Sequence, residues 1–318
     1  MIRIKLLSLF ILTVFVSQVF AQPVSEFTED DLAIDILWSR VLSLPAEKRP
    51  KVALVLGGGG ARGFAHIGVL RVFQEKQIPV DLVVGTSIGA IAGAFFCSGV
   101  PMDEASEIAQ AMSWNQISNF NIPSLAWMFV TEKLLSNEKL VNFVNKNIGD
   151  ITFAELKTPL IAVATDLNTG ERILIKEGSV AFAARASSNI PGIFEPVEYR
   201  QRYLVDGGLS ENIPVSVAEI YNPDIIIAVA IPADITKNST RNVYMTLMQA
   251  IYIQGSVMDK ENLSRADIVI LPKVGEVNTI DMSRAHETID LGFLAAEQAV
   301  KEIKMKIINK TSEKYLLE

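Results

Sequence analysis

Short apolar runs alternate along the chain with segments of helical periodicity, and this alternation restricts the fold more than any other feature of the sequence. Strand-like runs cover residues 52–56, 82–84, 160–164, 172–175, 225–231 and 268–271. Most are continuously apolar, as expected for strands covered on both faces. Helical periodicity covers residues 63–76, 88–98, 103–112, 136–147, 180–187, 215–221, 243–263 and 286–308. The pattern predicts an α/β fold, a three-layer α/β/α domain with a mostly parallel central sheet.

Residues 1–21 have the composition of a secretory signal peptide. Arg3 and Lys5 form a basic start, an apolar run follows at 6–16, and Val19-Phe20-Ala21 places small residues where a signal peptidase reads. Because the apolar run is shorter than the ~20 residues that span a bilayer, we expect a cleaved signal, with an uncleaved anchor as the alternative. The sequence therefore predicts an exported protein that is periplasmic, envelope-associated or secreted.

The remaining chain divides into a lead-in, one main domain and a tail. The lead-in at 22–50 ends in the cluster Glu47-Lys48-Arg49-Pro50, the domain covers 51–309, and the tail covers 310–318. Within the domain, residues 113–135 are rich in aromatic side chains and have no clear period. This segment is either an excursion that packs over the core or an apolar flap that makes peripheral contact with a membrane.

The acidic balance of the chain limits its partners. Lys and Arg number 29 against 36 Asp and Glu, which gives a formal net charge of −7. Such a protein is a poor candidate for binding nucleic acid, and any membrane contact has to be local and apolar. The single cysteine, Cys97, cannot form an internal disulfide, and its neighbours Phe95 and Phe96 predict a buried thiol.

Ser87 lies in the pentad Gly85-Thr86-Ser87-Ile88-Gly89, between an apolar run and a helical segment. This is the G-x-S-x-G pattern of a nucleophilic serine on a sharp strand-to-helix turn, where flanking glycines leave room for the backbone. The N-terminus of the following helix favours developing negative charge beside the serine. The alternative is a structural turn, because Gly, Ser and Thr are common turn formers.

A glycine run, Gly57-Gly58-Gly59-Gly60-Ala61-Arg62-Gly63, follows the first strand and suits a phosphate or an oxyanion. A Walker A loop is excluded because it needs Gly-Lys-Ser/Thr at its end. A dinucleotide fingerprint fits formally, but the acidic residue that it needs at the far end of the next strand is missing, since Asp81 lies at that strand's beginning. Successive parallel strands place both glycine turns at one edge of the sheet, which favours an oxyanion hole facing Ser87.

Two histidines, His66 and His286, are candidates for the base that accepts the Ser87 proton. His66 follows the glycine loop on an apolar segment, which predicts a histidine that steadies the loop. His286 lies near a helix start close to the C-terminus and would complete a Ser-Asp-His triad. Neither position is typical of a catalytic base beside this serine.

Two aspartates are further candidates for that base. Asp206 follows the extended run 203–205 and precedes Gly207-Gly208, a position that suits either a base or a plain Asp-Gly turn. Asp166 also ends an apolar strand, but Asn168-Thr169-Gly170 behind it predicts the turn of a hairpin.

Three ordered motifs together resemble the patatin-like phospholipases: Gly58-x-Gly60-x-x-Gly63 with Arg62, Gly85-x-Ser87-x-Gly89, and Asp206-Gly207-Gly208. The resemblance covers roughly residues 50–300 and is supported by the sequence segments at 65–70, 164–170 and 186–194. The resemblance implies a Ser–Asp dyad in which Ser87 is the nucleophile and Asp206 its base. It further implies an oxyanion hole formed by Gly58, Gly59 and Gly60, and an Arg62 that supports the loop or the lipid phosphate.

The same resemblance implies a lipid acyl hydrolase whose substrate is a phospholipid or another acyl-ester lipid, and it calls for no cofactor and no metal ion. An acyltransferase would use the same dyad with an acceptor other than water. A non-enzymatic envelope factor that binds lipid is the third interpretation. The intact serine, aspartate and glycine loop argue against that one, because a pure binder has no need of all three.

Overall fold

The computed structural model describes residues 29–119, 134–232 and 243–316. The predicted signal at 1–21 and residues 120–133 of the aromatic-rich segment, expected to be either an excursion over the core or a membrane flap, lie outside the described residues. The chain divides into two compact units, Met1–Leu44 and Pro45–Glu318. The first unit contains helix α1 (Glu29–Ser43), whose first turn carries three acidic side chains that complement the positive end of the helix dipole.

Within the described residues, the second unit contains one eight-stranded sheet. Its strands are β1 (Val52–Leu56), β2 (Leu82–Thr86), β3 (Leu160–Asp166), β4 (Arg172–Ile175), β5 (Val197–Tyr199), β6 (Arg202–Asp206), β7 (Ile225–Val229) and β8 (Ile268–Ile270). The parallel part runs in the order β3, β2, β1, β7, β8. β4 and β6 pair with β3, and β5 pairs with β6, all in the antiparallel sense. The predicted, mostly parallel sheet is confirmed.

Helices cover both faces of this sheet. They are α2 (Ala65–Glu75), α3 (Ile88–Ser98), α4 (Met102–Gln110), α5 (Trp114–Ile117), α6 (Glu138–Ile148), α7 (Val180–Ser187), α8 (Gly208–Glu211), α9 (Val215–Glu219), α10 (Val243–Leu263) and α11 (Ala285–Leu316). In β3, Ile161 and Val163 pack with residues of α9, whereas Ala162 and Ala164 pack with residues of α3 and α7. Because alternate residues of a strand face opposite sides, helices flank the sheet on both faces and the three-layer arrangement is confirmed.

Two elements differ from the sequence predictions. α11 continues to Leu316, so residues 310–316 are helical where a tail was predicted, because Ile307 and Thr311 extend its buried face. β5 and β6 form a hairpin, whereas the sequence predicted only the extended run at 203–205. Its turn residues Arg200 and Gln201 have φ values of 50° and 64° without the glycine or asparagine that signals such a turn. Among the helices that the structure describes, none has the length and hydropathy that a bilayer crossing requires.

One edge of β3 is shared by two strands that run in opposite directions. A strand can pair along two edges, and β4 pairs with one edge of β3 along residues 162–165. β2 and β6 therefore share the other edge, with β2 beside residues 160–163 and β6 beside residues 164–166.

The C-terminal ends of β2 and β6 consequently meet. Thr86, the last residue of β2, is opposite Val163, and Asp206, the last residue of β6, is opposite the next residue, Ala164. This meeting places Ser87, which follows Thr86, next to Asp206.

Candidate active site

Ser87 occupies the turn between β2 and α3 in a strained backbone conformation. Its φ is 55° and its ψ is −124°, a combination that L residues rarely adopt. A Cβ atom added at Gly85 would lie 2.7 Å from the backbone of Ala90, and one added at Gly89 would lie 2.2 Å from the carbonyl oxygen of Leu56. The predicted strand–turn–helix context is confirmed, and both flanking glycines permit close backbone contact.

The Ser87 hydroxyl donates a hydrogen bond to Oδ2 of Asp206 over 2.6 Å, although the two residues are 119 positions apart. Both residues are buried, each with 8% of its surface exposed. The other carboxylate oxygen, Oδ1, accepts from the backbone N–H of Gly208 at 2.8 Å. The turn therefore holds one oxygen of the carboxylate while the second faces the serine.

Burial raises the pKa of Asp206 from 3.8 to about 6, while the hydrogen bonds from Ser87 and Gly208 act in the opposite direction. A carboxylate with this pKa is still ionised at neutral pH and is a much stronger base than an unperturbed aspartate. The pair can therefore move the Ser87 proton to Asp206 near neutral pH.

Ser187, the last residue of α7, supports the turn that carries Ser87. Its Oγ accepts from the backbone N–H of Ser87 at 2.9 Å and donates to the carbonyl oxygen of Val163 at 2.6 Å. This role could not be predicted from the sequence, because a serine at a helix end gives no signal of a contact with a residue 100 positions away.

The glycine loop after β1 also contacts Ser87. A Cβ atom added at Gly58 would lie 3.4 Å from Cβ of Ser87 and 2.5 Å from Oδ1 of Asn212. The backbone N–H of Gly58 donates to the carbonyl oxygen of Asn212 over 3.1 Å. In the described part of the chain, the N–H groups of Gly59 and Gly60 have no such partner. The amide of Gly58 is thus already engaged, which differs from the expectation, while two of the three expected donors are available to a ligand.

His66 lies beneath this loop and is fully buried. Burial lowers the pKa of His66 to about 4, so the ring is neutral at pH 7. Its Nε2 lies 2.7 Å from the carbonyl oxygen of Gly57, which requires that this nitrogen carries the proton and donates. The prediction that His66 steadies the glycine loop is confirmed.

The two remaining candidates for the base lie elsewhere. His286 is exposed at the start of α11. Asp166 accepts from the backbone N–H of Asn168 at 2.9 Å and forms an ion pair with Arg202 at 2.8 Å. The Asn168 bond and the Arg202 guanidinium hold the pKa of Asp166 below its ordinary value, so that it is a weaker base than a free aspartate.

A cavity of about 380 Å³ opens onto Ser87 and Asp206. Its walls are mainly apolar and include Ile190, Pro191, Leu209, Ile213, Ile231, Ile251, Leu263 and Leu271. Arg62 also lines this cavity; its Nε is buried and has no hydrogen-bond partner among the residues that the structure describes. Burial lowers the pKa of the Arg62 guanidinium.

A second, narrower space of about 60 Å³ begins at the same serine. Ser87, Gly60 and Ile190 line both spaces. The other residues of the narrow space are mostly apolar and include Phe64, Ile88, Ile91, Met112, Ile117, Leu140, Phe194 and Met282. The Ser87 hydroxyl therefore lies where a larger cavity and an apolar crevice meet.

Asn212 connects the glycine loop with helix α10. Its Nδ2 donates to Oδ2 of Asp259 at 2.9 Å, and its carbonyl accepts from Gly58. Burial raises the pKa of Asp259 to about 6, and Asp259 lines the larger cavity. No sequence signal marks Asn212 or Asp259, because neither residue belongs to a motif. Across residues 29–119, 134–232 and 243–316, no group of three or more His, Cys, Asp or Glu side chains is arranged to hold a metal ion.

The family model Patatin, described as patatin-like phospholipase, matches residues 54–219, an interval that includes the glycine loop, Ser87 and Asp206. An uncharacterized NTE family protein of Mycobacterium tuberculosis is 34% identical over 190 residues, which are 60% of this chain and 51% of the relative. Neuropathy target esterase sws of Drosophila melanogaster is 32% identical over 180 residues, which are 56% of this chain and 13% of that protein.

Among solved structures, human GIVD cytosolic phospholipase A2 in complex with methyl gamma-linolenyl fluorophosphonate aligns with a TM-score of 0.49 and 11% sequence identity. The alignment covers 90% of this chain and 63% of that chain. The chain spans about half the length of the mycobacterial relatives that it matches.

Proposed function

This chain belongs to the patatin-like phospholipase family, and on that basis we propose that it is a serine lipid acyl hydrolase that cleaves acyl esters of phospholipids or related lipids. The observation that carries the proposal is the 2.6 Å hydrogen bond between Ser87 Oγ and Asp206 Oδ2 beside a largely apolar cavity. In this proposal Ser87 is the nucleophile and Asp206 is its base. Export of the protein, predicted from residues 1–21, is part of the same proposal.

The proposed first step acylates the serine. Ser87 Oγ attacks the carbonyl carbon of the ester while its proton moves to Oδ2 of Asp206. The carbonyl oxygen becomes an oxyanion that accepts hydrogen bonds from the amides of Gly59 and Gly60. When the intermediate collapses, the bond between the carbonyl carbon and the leaving oxygen breaks, and the departing alcohol takes the proton from Asp206.

The proposed second step releases the acyl chain. Water attacks the acyl-serine ester and gives a proton to Asp206, and the same two amides stabilise the second oxyanion. Collapse of this intermediate breaks the ester bond to Ser87, whose oxygen takes the proton back from Asp206. The products are a carboxylic acid and the free serine.

Arg62 is the group that we propose for recognition of a lipid phosphate. The buried Nε of Arg62 has no hydrogen-bond partner among the described residues, and an anion in the cavity would supply one. We expect Arg62→Gln to lower kcat/KM by about tenfold more for a phospholipid than for an uncharged acyl ester. If Arg62 only supports the loop, both substrates lose activity to the same extent.

The test of the proposed function combines active-site labelling with product analysis. The wild type is expected to react with a fluorophosphonate at Ser87 and to release fatty acid from a mixed lipid extract, as seen by mass spectrometry. Ser87→Ala abolishes both signals, Asp206→Asn abolishes release, and His286→Ala, the control, keeps both.

Two results would contradict hydrolysis. Wild-type protein without labelling at Ser87 would indicate a lipid-binding factor. Appearance of the acyl group on an added alcohol, in place of free fatty acid, would indicate an acyltransferase that uses the same dyad.

A further inference from the structure

Helix α10 carries a long uncharged stretch in which several large apolar side chains are exposed. Residues 243–258 contain no Asp, Glu, Lys, Arg or His. Large apolar side chains on a helix normally face other elements of the fold. Leu247, Ile253 and Val257 are nevertheless 60%, 49% and 69% exposed.

The two sides of α10 have different surroundings. One side lines the larger cavity with Ile251, Tyr252, Gly255, Ser256 and Asp259. At about 100° per residue, Ile253 and Val257 lie on the opposite side of the helix. The hydrogen bond between Asp259 and Asn212 ties the cavity side to the glycine loop. The exposed side is therefore the back of a helix whose front is part of the proposed active site.

Exposed apolar side chains also occur at the cavity itself. Leu209 and Leu271 line the cavity and are 36% and 51% exposed. Apolar surface at and around a ligand cavity is typical of proteins that contact a lipid surface or another protein.

We propose that the α10 face, formed by Leu247, Ala250, Ile253, Val257 and Met258, docks the protein on an uncharged lipid surface and so holds the cavity beside its substrate. The proposal rests on the proposed function, because a lipid hydrolase takes its substrate from a membrane or another lipid aggregate. A helix lying in the interface buries its apolar side among the lipids. Only the thickness of α10 then separates the lipid surface from the cavity.

The absence of charge decides between the possible lipid surfaces. The five side chains of the α10 face are uncharged, and the exposed Lys260 and Glu261 that follow them on the same helix offset each other. With a net charge of −7, the protein has no overall attraction to anionic lipids, so the contact is apolar. A second copy of the chain is the other occupant to consider. A stable interface buries roughly 800 Å² on each partner, more than one stripe of five side chains offers.

The test measures vesicle binding in a Ser87→Ala background, so that no lipid is consumed. One protein carries Leu247→Ser, Ile253→Ser and Val257→Ser. The matched control carries Leu167→Ser, Ile220→Ser and Leu294→Ser, whose side chains are 49%, 56% and 54% exposed and do not line the cavity. Flotation with phosphatidylcholine vesicles is compared at about 0.1 M and about 1 M NaCl.

We expect the α10 triple variant to bind vesicles at least roughly tenfold more weakly than the control. Binding of the control is expected to change less than about twofold with salt. With Ser87 restored, the α10 triple variant loses hydrolysis of vesicles but keeps kcat/KM for a soluble short-chain ester, which shows that it is folded.

Equal vesicle binding by the α10 triple variant and the control would overturn the proposal. So would sedimentation data in which the α10 changes convert a dimer to a monomer without changing vesicle binding. The docking proposal and the proposed function can be contradicted independently. Vesicle binding through α10 by a protein without esterase activity would contradict the proposed function and support the docking face. Vesicle hydrolysis that is unchanged by the α10 substitutions would support the proposed function and contradict the docking face.

Discussion

At the scale of single residues, Asp206 carries its charge where burial opposes ionisation. Its hydrogen bonds from Ser87 and Gly208 offset only part of that cost, and the pKa remains raised to about 6. A raised pKa means that the folded state binds the proton more tightly than the unfolded chain does. Asp206 therefore favours the fold below pH 3.8, and this contribution is lost as the pH rises through about 6.

Asp206→Asn should accordingly abolish hydrolysis and stabilise the fold. Asparagine keeps the acceptor for Gly208 and can donate to Ser87, but it cannot take a proton. We expect the free energy of unfolding at pH 8 to rise by about 2–3 kcal/mol and the gain to vanish below pH 4. Urea unfolding at the two pH values checks this. An Asp206→Asn protein that is less stable at pH 8 would contradict the burial argument.

The pH dependence of serine acylation should report the same carboxylate. We expect the rate of fluorophosphonate labelling to fall as the pH drops through about 6, because protonated Asp206 cannot accept the Ser87 proton. Asp259→Asn is the control, since the pKa of Asp259 is also raised to about 6. A midpoint that moves in Asp259→Asn would assign the titration to Asp259.

At the scale of elements, the geometry of the site depends on the meeting of β2 and β6. Gly207 follows β6 at this point, and a Cβ atom added there would lie 2.2 Å from the carbonyl oxygen of Val163 and 3.2 Å from Cγ2 of Thr86. No flexible side-chain end is available to yield, because the nearer atom belongs to the backbone of β3. A larger residue therefore has to push the end of β6 away from β3 and from Thr86 of β2.

Gly207→Ala should cost at least about 2 kcal/mol of stability and reduce labelling of Ser87 by more than about tenfold. Gly255→Ala in α10 is the matched control, because a Cβ atom there meets nothing within 4 Å. That change should stabilise the helix by about 0.5–1 kcal/mol. Urea unfolding and fluorophosphonate labelling of both proteins test the comparison, and equal unfolding free energies would count against the strand-end contact.

The sequence predicts those parts of the site that directly follow apolar strands. Ser87, the glycine loop and Asp206 each stand at the end of such a run, so a motif and its strand identify them together. Ser187 and Asn212 could not be found in this way, because each acts through hydrogen bonds to distant backbone. Only the folded chain shows that the backbone carbonyl of Asn212 accepts from the amide of Gly58, whereas the amides of Gly59 and Gly60 have no backbone partner among the described residues.

At the scale of the whole molecule, buried titratable groups act on stability in opposite directions. The pKa of His66 is lowered from 6.5 to about 4, so His66 destabilises the fold as the pH falls from 6.5 toward 4. The raised pKa values of Asp206 and Asp259 stabilise the fold as the pH falls from about 6 toward 3.8. Between pH 7 and 5 these effects largely cancel, because His66 lowers the free energy of unfolding by about 2 kcal/mol while Asp206 and Asp259 together raise it by about 3 kcal/mol.

Without the carboxylates of Asp206 and Asp259, the contribution of His66 to the pH dependence of stability should become measurable. We expect the stability of wild type to change little between pH 7 and 5, whereas Asp206→Asn combined with Asp259→Asn loses about 2 kcal/mol over the same range. Guanidinium unfolding at the two pH values provides the measurement. A double variant as insensitive to pH as wild type would show that His66 does not remain neutral behind the glycine loop.

The shared edge of β3 has a consequence for how such a chain can vary. Ser87 and Asp206 each take their position from β3, and neither takes it from the segments that connect β3 with β2 and with β6. Surface loops in those segments can lengthen or shorten without separating the pair, provided that β6 keeps its register, since a slip by one residue would turn Asp206 to the other face. New substrate-binding segments can thus be inserted between the two residues while the reaction centre is inherited unchanged.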